Sequence, residues 1–251
     1  MSLNPLAPVT DYQSMLNRIF WFTSATALVA VWMFRLYLPA LDAILRKLDF
    51  SIAFGSDRIL PLPAGYLLPA LAIGLCTRIY RLHARLSDWL GIRESFDIDV
   101  IIAEFADRLA VDLSRTTEAQ LRAARHDIMR RAFYPYVGGD QPQIDRQLIE
   151  QALDAWSWFW IGVEATLVFT LLGLALIAYG VYQPGFASFT SALAFAAIGL
   201  PTIRGQCRRY AVAQVRAILA DRTRAVAART AFAELTSDTT QQPSIPLRRA
   251  A

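Results

Sequence analysis

The fold is decided by residues 156–182, which read WSWFWIGVEATLVFTLLGLALIAYGVY. Three further apolar stretches of this kind are Ile19–Leu38, Ile59–Cys76 and Phe186–Ile203. A soluble domain rarely contains apolar runs of about 20 residues, whereas a hydrocarbon core of roughly 30 Å requires them. The sequence therefore predicts an all-α, polytopic membrane protein with four transmembrane helices and a helical cytoplasmic region.

The composition agrees with this class. Of the 251 residues, 55% are hydrophobic and only 18% are charged, and the charges lie almost entirely between the apolar stretches. In a soluble helical protein the apolar residues would be interleaved with polar ones at the period of a helix. Because they are grouped in blocks instead, the pattern excludes an ordinary soluble globular protein.

Arginine positions predict the orientation, because positive charge near span ends is retained in the cytoplasm. Arginines follow the second and fourth stretches: Arg78, Arg81 and Arg85, and then Arg204, Arg208, Arg209 and Arg216. The link at 183–185 carries no charge. We therefore expect a multi-pass protein with both termini in the cytoplasm. Lys47 is the only lysine, a composition associated with GC-rich bacterial genomes, so the expected location is the bacterial inner membrane.

The apolar stretches divide the chain into five segments. These are a first transmembrane pair (1–76) with a periplasmic amphipathic loop (41–58), a cytoplasmic helical insert (77–155), a second transmembrane pair (156–203), a cytoplasmic basic helix (204–236) and a disordered tail (237–251). Within the insert, Thr117 is a good helix N-cap and predicts a helix that continues to Phe133. The basic segment is predicted to continue the fourth span as one long helix.

The loop between the first two spans has an amphipathic pattern. Leu41, Ile44, Leu45 and Leu48 fall on one helical face, with charged residues on the other. This pattern is typical of a helix that lies at the outer leaflet of a membrane. Packing of the same face onto the spans explains it equally well.

Glu164 is the strongest candidate for a functional residue. It lies eight residues into the third span, at a depth of roughly 12 Å. A carboxylate at that depth costs a few kcal/mol, and such residues usually face a partner or an aqueous path. Thr166 and Thr170 are hydroxyl-bearing neighbours in the same span. Two interpretations stay open: Glu164 is protonated or paired for assembly, or it belongs to a pore or proton path.

Two other features of the spans have simpler interpretations. Arg35 lies near the outer end of the first span, where its long side chain is expected to reach the headgroup region. The second span contains Pro61, Pro63 and Pro69. These prolines either shape the entry of the helix or break it at an ion site, as in some transporters.

Four arginines in the first part of the basic helix are the candidate contacts for a cytoplasmic partner or an anionic ligand. They are Arg204, Arg208, Arg209 and Arg216. Their positive charge suits a partner protein, an anionic nucleotide or acidic lipid headgroups. Pairing with acidic residues of the insert is the alternative. We expect no binding of duplex nucleic acid.

Known catalytic motifs are absent from the sequence. It has no phosphate-binding Gly-rich loop, no Gly-x-Ser-x-Gly and no His-Glu-x-x-His. His126-Asp127 stands without the further ligands that a metal phosphohydrolase needs, and Cys76 and Cys207 have no histidine partners. We therefore expect no enzyme activity, no metal and no cofactor.

The layout of paired spans around a helical cytoplasmic insert resembles the small multi-spanning effectors of bacterial anti-phage operons. This resemblance covers the architecture and assigns no role to any residue. It implies an oligomeric, channel-like effector that is gated through its cytoplasmic helices. The alternative is a non-conducting membrane scaffold or accessory subunit that recruits a cytoplasmic enzyme.

Overall fold

The computed structural model describes residues 4, 6–49, 53–54, 57–58, 63–114, 116–138 and 142–240. Twelve α-helices make up nearly all of this part of the chain, which confirms the all-α prediction. In chain order they are α1 (Tyr12–Tyr37), α2 (Pro39–Leu45), α3 (Ala64–Ile79), α4 (Leu82–Trp89), α5 (Ile92–Phe96), α6 (Ala103–Leu109), α7 (Glu118–Ala132), α8 (Tyr134–Val137), α9 (Arg146–Ala178), α10 (Tyr182–Ala194), α11 (Leu200–Leu219) and α12 (Arg222–Thr240).

Short elements of other kinds connect these helices. A 3₁₀ turn (Arg46–Leu48) follows α2, and π-helical turns lie at Asp97–Ile102 and Phe195–Gly199. Two short strands, Ala53–Phe54 and Asp57–Arg58, pair antiparallel. The predicted amphipathic loop 41–58 is thus helical only in its first part, and residues 50–52 and 55–56 lie outside the described residues.

The chain separates into two compact units. Unit 1 comprises Met1–Leu86 and Glu150–Cys207, and unit 2 comprises Ser87–Ile149 and Arg208–Ala251. Unit 1 holds the greater part of the apolar stretches, while unit 2 is built from the shorter helices and the end of the chain. Each unit has its own buried side chains.

The described residues contain three helices long and apolar enough to cross a membrane, not the four predicted. These are Tyr12–Tyr37, Arg146–Ala178 and the combined helix Tyr182–Leu219. The second predicted span is the 16-residue α3, which at 1.5 Å per residue reaches about 24 Å. Pro63 precedes its first turn and delays the start of the helix, and residues 59–62 lie outside the described residues.

α3 nevertheless packs against most of α1 and runs antiparallel to it. At one end Arg78 Nη1 donates to Asn17 Oδ1 at 2.6 Å. At the other end, a Cβ on Gly65 would lie 2.9 Å from Arg35 Nη1. In between, a Cβ on Gly74 would lie 2.0 Å from Ser24 Oγ, so only glycine allows this approach. Small residues permit this close packing of two apolar helices.

α9 runs parallel to α1. Thr23 contacts Glu164, and further along both helices Ala30 packs in one buried cluster with Leu172 and Leu176. Residue numbers rise together on the two helices, so both point the same way. A Cβ on Gly173 would lie 2.7 Å from the backbone nitrogen of Phe189 in α10.

α10 and α11 return antiparallel to α9. Gly173 meets Phe189, whereas Gly162, earlier in α9, meets Phe195 and Leu200, later in the returning helix. The three long helices differ in the burial of their most apolar 18-residue segment. Only 11% of its residues are buried in Tyr182–Leu219, against 39% in α1 and 33% in α9. The returning helix therefore presents most of its apolar surface outward.

Unit 2 has an aromatic core. Phe105 and Phe232 are fully buried with ring centroids 6.3 Å apart, and Phe133 meets Phe105 edge-on at 6.5 Å. Thr117 caps α7 by accepting a hydrogen bond from the Gln120 backbone, which confirms the predicted start of this helix. α6, α7 and α12 thus share one core.

The predicted basic helix is two helices rather than one. α11 ends at Leu219 and α12 begins at Arg222. Asp221 explains the break, because its carboxylate accepts a hydrogen bond from the Arg224 backbone nitrogen at 3.0 Å, as an N-cap does. α12 extends to Thr240, past the predicted start of the disordered tail at 237, and residues 241–251 lie outside the described residues.

Candidate functional site

The carboxyl group of Glu164 is buried where α9 meets α1. The residue is 1% exposed, and its Oε2 accepts a hydrogen bond from the Thr23 hydroxyl at 2.5 Å. Its Oε1 is also buried and has no hydrogen-bond partner among the described residues. Buried polar atoms are nearly always paired, so a half-satisfied carboxyl group in an apolar helix is exceptional.

Three further buried polar atoms lack a partner in the described part of the chain, namely Arg18 Nε, Ser24 Oγ and Ser87 Oγ. Ser24 follows Thr23 in α1 and lies against Gly74 of α3. The contacts of α1 with α3 and with α9 therefore each contain an incompletely paired polar group. Such groups can take up a proton, a cation or a new hydrogen-bond partner.

Arg18 forms a second polar cluster between α1 and α9. Its guanidinium is 6% exposed and pairs with Asp154, while Nη1 also donates to Ser157 Oγ at 3.2 Å. Nη2 donates to the Ala7 carbonyl oxygen at 2.7 Å, and the group lies 5.6 Å from the Trp158 ring centroid. This cluster fixes the first turns of α1 against α9.

The predicted residues Thr166 and Thr170 do not join Glu164 in one site. Thr166 donates to the Gly162 carbonyl oxygen at 2.8 Å and lines a groove of about 460 Å³ between α9 and α10. Thr170 is half-buried and outside the groove lining. The groove is lined by small, hydroxyl-bearing and aromatic side chains: Ala165, Thr166, Phe169, Ala187, Ser188, Ser191, Ala192 and Phe195.

The four arginines predicted as ligand contacts are all exposed, but they do not form one group. Arg216 lies in a cleft of unit 2 with Arg108 and Arg229, and its Nε is 3.6 Å from Glu104 Oε1. Arg208 and Arg209, on the same helix, are not part of the cleft lining. Arg204 belongs to unit 1.

Asp97 is the buried carboxylate of unit 2. It lies in the π-helical turn Asp97–Ile102, is 6% exposed, and its Oδ2 is 3.3 Å from Arg125 Nη1. Burial raises the pKa of Asp97 to about 6, although the charges of Arg93, Arg125 and His126 act in the opposite direction. Desolvation therefore outweighs the attraction of the nearby cations.

Arg35 is buried and paired within the protein. Its side chain is 6% exposed and pairs with Asp42 and Asp49, each at 2.7 Å. It also stacks 4.0 Å from the centroid of the Tyr66 ring. The sequence analysis missed this pairing, because α2 and the 3₁₀ turn bring two carboxylates back over the end of α1. Hydrogen bonds from Arg46 and Arg35 lower the pKa of Asp42.

The described residues hold no group of three or more His, Cys, Asp and Glu side chains that could bind a metal ion. His83 is 5% exposed, lies 3.1 Å from Tyr12 Oη through Nε2, and packs against the Trp160 ring. Burial and the charge of Arg81 lower its pKa. His83 is thus a packed, neutral side chain between helices.

Several residues of these clusters were missed in the sequence. Arg18 and Asp154 carried a usable signal, because opposite charges lie near the inner ends of two predicted spans. Thr23 carried a weaker one as a lone hydroxyl in an apolar run. Arg108 and Arg229 carried none, because they meet Arg216 only through the tertiary packing of unit 2.

Comparison with known proteins gives one match. No curated protein and no solved structure matches the chain. A family model does, over residues 11–234, which include Glu164, Arg18, Asp97 and the arginines of the cleft in unit 2. By this match the chain belongs to the YmfE protein family.

Proposed function

We propose that this chain is an oligomeric effector of the bacterial inner membrane, channel-like and gated through its cytoplasmic helices. The observation that carries the proposal is the half-satisfied carboxyl group of Glu164 in the contact between α1 and α9. Buried carboxyl oxygens are nearly always paired, so an unpaired one supports a role beyond packing. The role in anti-phage defence implied by the layout is part of this proposal.

The proposal includes four membrane crossings, with α3 as the second. α1 and α9 run parallel, so the chain between them must return to its starting side. α3 supports this return, since it runs antiparallel to α1 and contacts it from Asn17 to Arg35. Those contacts cover a rise of about 27 Å along α1. With arginines after α3 and in α11, both termini are in the cytoplasm.

Assembly into oligomers is supported by the returning helix Tyr182–Leu219. In its most apolar window only 11% of the residues are buried, against 39% for α1 and 33% for α9. The groove beside it is lined by Ala187, Ser188, Ser191 and Ala192, and small residues of this kind permit close helix–helix contact in membranes. A helix of a second copy is the proposed occupant.

In this proposal the contact between Glu164 and Thr23 belongs to the closed state. When the cytoplasmic helices receive their signal, α9 shifts against α1 and Glu164 leaves Thr23 for the conducting path. A carboxylate at a constriction attracts cations and raises their local concentration. The proposal therefore predicts cation conductance that depends on Glu164.

The test uses the full-length protein in liposomes, with ion flux measured for wild type, Glu164→Gln and the control Glu118→Gln. Glu118 has a side chain that is 73% exposed in unit 2, so its substitution removes one charge without touching the spans. Native mass spectrometry of the same samples gives the subunit number. We expect a closed oligomer and a cation flux that Glu164→Gln changes at least tenfold and Glu118→Gln leaves intact.

A monomer, or an oligomer without flux, would overturn the conducting form of the proposal. The second candidate, a non-conducting scaffold, is favoured by one observation in unit 2. Trp89 and Leu90 are 80% and 55% exposed, an apolar surface suited to a protein partner. A scaffold predicts that Trp89→Ala abolishes crosslinking to a cytoplasmic protein in native membranes, with Glu164→Gln having no effect.

A further inference from the structure

We infer that the arginine-lined cleft of unit 2 is a binding site for a small phosphate ester. This inference rests on the proposed function, since it names the chemical class of the signal that the cytoplasmic helices receive. It goes beyond the arginines predicted from the sequence, because two of the three arginines in the cleft were not among them.

The cleft is formed by three separate helices. α6 contributes Arg108 and Leu109, α11 contributes Arg216 and Leu219, and α12 contributes Arg229. These side chains surround a cavity of about 390 Å³. Convergence of three guanidinium groups on one space is unfavourable unless anions compensate them, because like charges repel at short range.

One carboxylate of the protein partly compensates these charges. Glu104 Oε1 lies 2.5 Å from Arg108 Nε and 3.6 Å from Arg216 Nε. Among the described residues, three guanidinium groups and this one carboxylate leave two positive charges at the cleft. Arg216 keeps a side chain that is 60% exposed, so it can reach a ligand without losing a buried contact.

Size and charge together indicate the ligand class. A phosphate monoester carries about two negative charges at neutral pH, which matches the remaining positive charge, and the terminal phosphate of a nucleoside diphosphate carries a similar charge. Arginine binds phosphate oxygens through paired N–H donors. Cavities of roughly 300–1,000 Å³ are typical of small-molecule sites, and Leu109 and Leu219 offer an apolar wall for the rest of the molecule. The phosphate can belong to a soluble nucleotide or to a lipid headgroup.

The test measures binding to the full-length protein in neutral detergent by isothermal titration calorimetry. ADP is the soluble probe, and dihexanoyl phosphatidic acid is the lipid probe, with dihexanoyl phosphatidylcholine as its uncharged comparison. The variant Arg216→Gln/Arg229→Gln removes two charges from the cleft. The control Arg208→Gln/Arg209→Gln removes two charges from exposed positions of α11 outside the cleft.

We expect one of the two phosphate probes to bind the wild type, and the cleft variant to weaken that binding at least about 30-fold, as loss of two charge-assisted contacts implies. The control variant should bind within about twofold of wild type. Preference for ADP identifies a soluble ligand, and preference for phosphatidic acid identifies a headgroup. Equal losses in both variants, or no binding of either probe, would overturn the inference.

Failure of this inference differs from failure of the proposed function. Calorimetry reports binding whether or not the protein conducts, so absence of ion flux leaves a positive binding result unchanged. Conversely, loss of phosphate binding in both variants leaves the dependence of flux on Glu164 untouched.

Discussion

Arg35 lies near the end of the apolar helix α1 and Glu164 lies within the apolar helix α9, and the surroundings of these two ionisable side chains are opposite. Arg35 has two carboxylate partners and an aromatic ring, all from the segments next to α1. Glu164 has one hydroxyl partner and an unpaired oxygen. Full compensation indicates a structural role, and partial compensation leaves a group ready to change partners. The variants Arg35→Ala and Glu164→Gln test this difference directly.

The largest effect is expected for Arg35→Ala. This change leaves Asp42 and Asp49 facing each other without their common cation, and breaking a buried ion pair costs about 3–5 kcal/mol. We expect the free energy of unfolding in detergent to fall by about 3 kcal/mol. The control is Arg46→Ala, since the Arg46 side chain is 72% exposed and pairs with the same Asp42. Equal losses for both variants would contradict the structural role of Arg35.

Gly74→Ala should have the next largest effect, because α3 has almost no room against α1. The added Cβ would lie 2.0 Å from Ser24 Oγ, so the helices must separate. Overpacking of this kind costs about 1–3 kcal/mol. Ser24→Gly in the same chain should recover most of the loss in thermal unfolding. A stable Gly74→Ala protein would show that the α1–α3 contact is looser than described.

Asp97 extends the comparison to a buried carboxylate outside the three long apolar helices. Its folded pKa of about 6 exceeds the ordinary value of 3.8, so the folded protein binds this proton more tightly than the unfolded chain does. The stabilisation is complete below pH 4 and is lost as the pH rises through about 6. We expect a decrease of about 2 kcal/mol between pH 4 and pH 7 in the free energy of unfolding.

The measurement is the pH dependence of thermal unfolding for wild type and Asp97→Asn. The asparagine variant cannot titrate, so its profile between pH 4 and pH 7 should lack this decrease. His126→Ala serves as the comparison, because His126 acts on the Asp97 pKa only through its charge. An unchanged slope in Asp97→Asn would assign the pH dependence to other groups.

The smallest effect on stability is expected for Glu164→Gln. One oxygen already lacks a partner, and glutamine can still accept the Thr23 hydrogen bond through its amide oxygen. We expect a change of less than about 1 kcal/mol in the free energy of unfolding, set by the net value of one hydrogen bond. A loss as large as that of Arg35→Ala would show that Glu164 is a structural residue and would weaken the proposed function.

The sequence was sufficient for features that depend on local composition. Three of the four apolar stretches are long apolar helices, Thr117 caps α7, and Glu164 is buried at depth in its span. The short length of α3 could also be predicted from the sequence. Pro63 immediately precedes the helix, and the 16 residues that follow, to Ile79, are few for a helix that crosses a membrane.

Features that depend on packing could not be predicted. The parallel alignment of α1 and α9 brings Thr23 to Glu164, and no spacing in the sequence encodes that register. Asp49 reaches Arg35 only because a 3₁₀ turn folds the chain back. Likewise the cleft of unit 2 combines helices far apart in the chain, so its arginines share no motif.

The separation of partners along the chain also sets the order in which they can meet during synthesis. Asp42 and Asp49 follow Arg35 by 7 and 14 residues, so the ribosome delivers them almost as soon as α1 has emerged. Thr23 precedes Glu164 by 141 residues. In a growing chain the partners of Arg35 are therefore available soon after α1 is synthesised. By contrast, α9 can pack against α1 only after many more residues have been added.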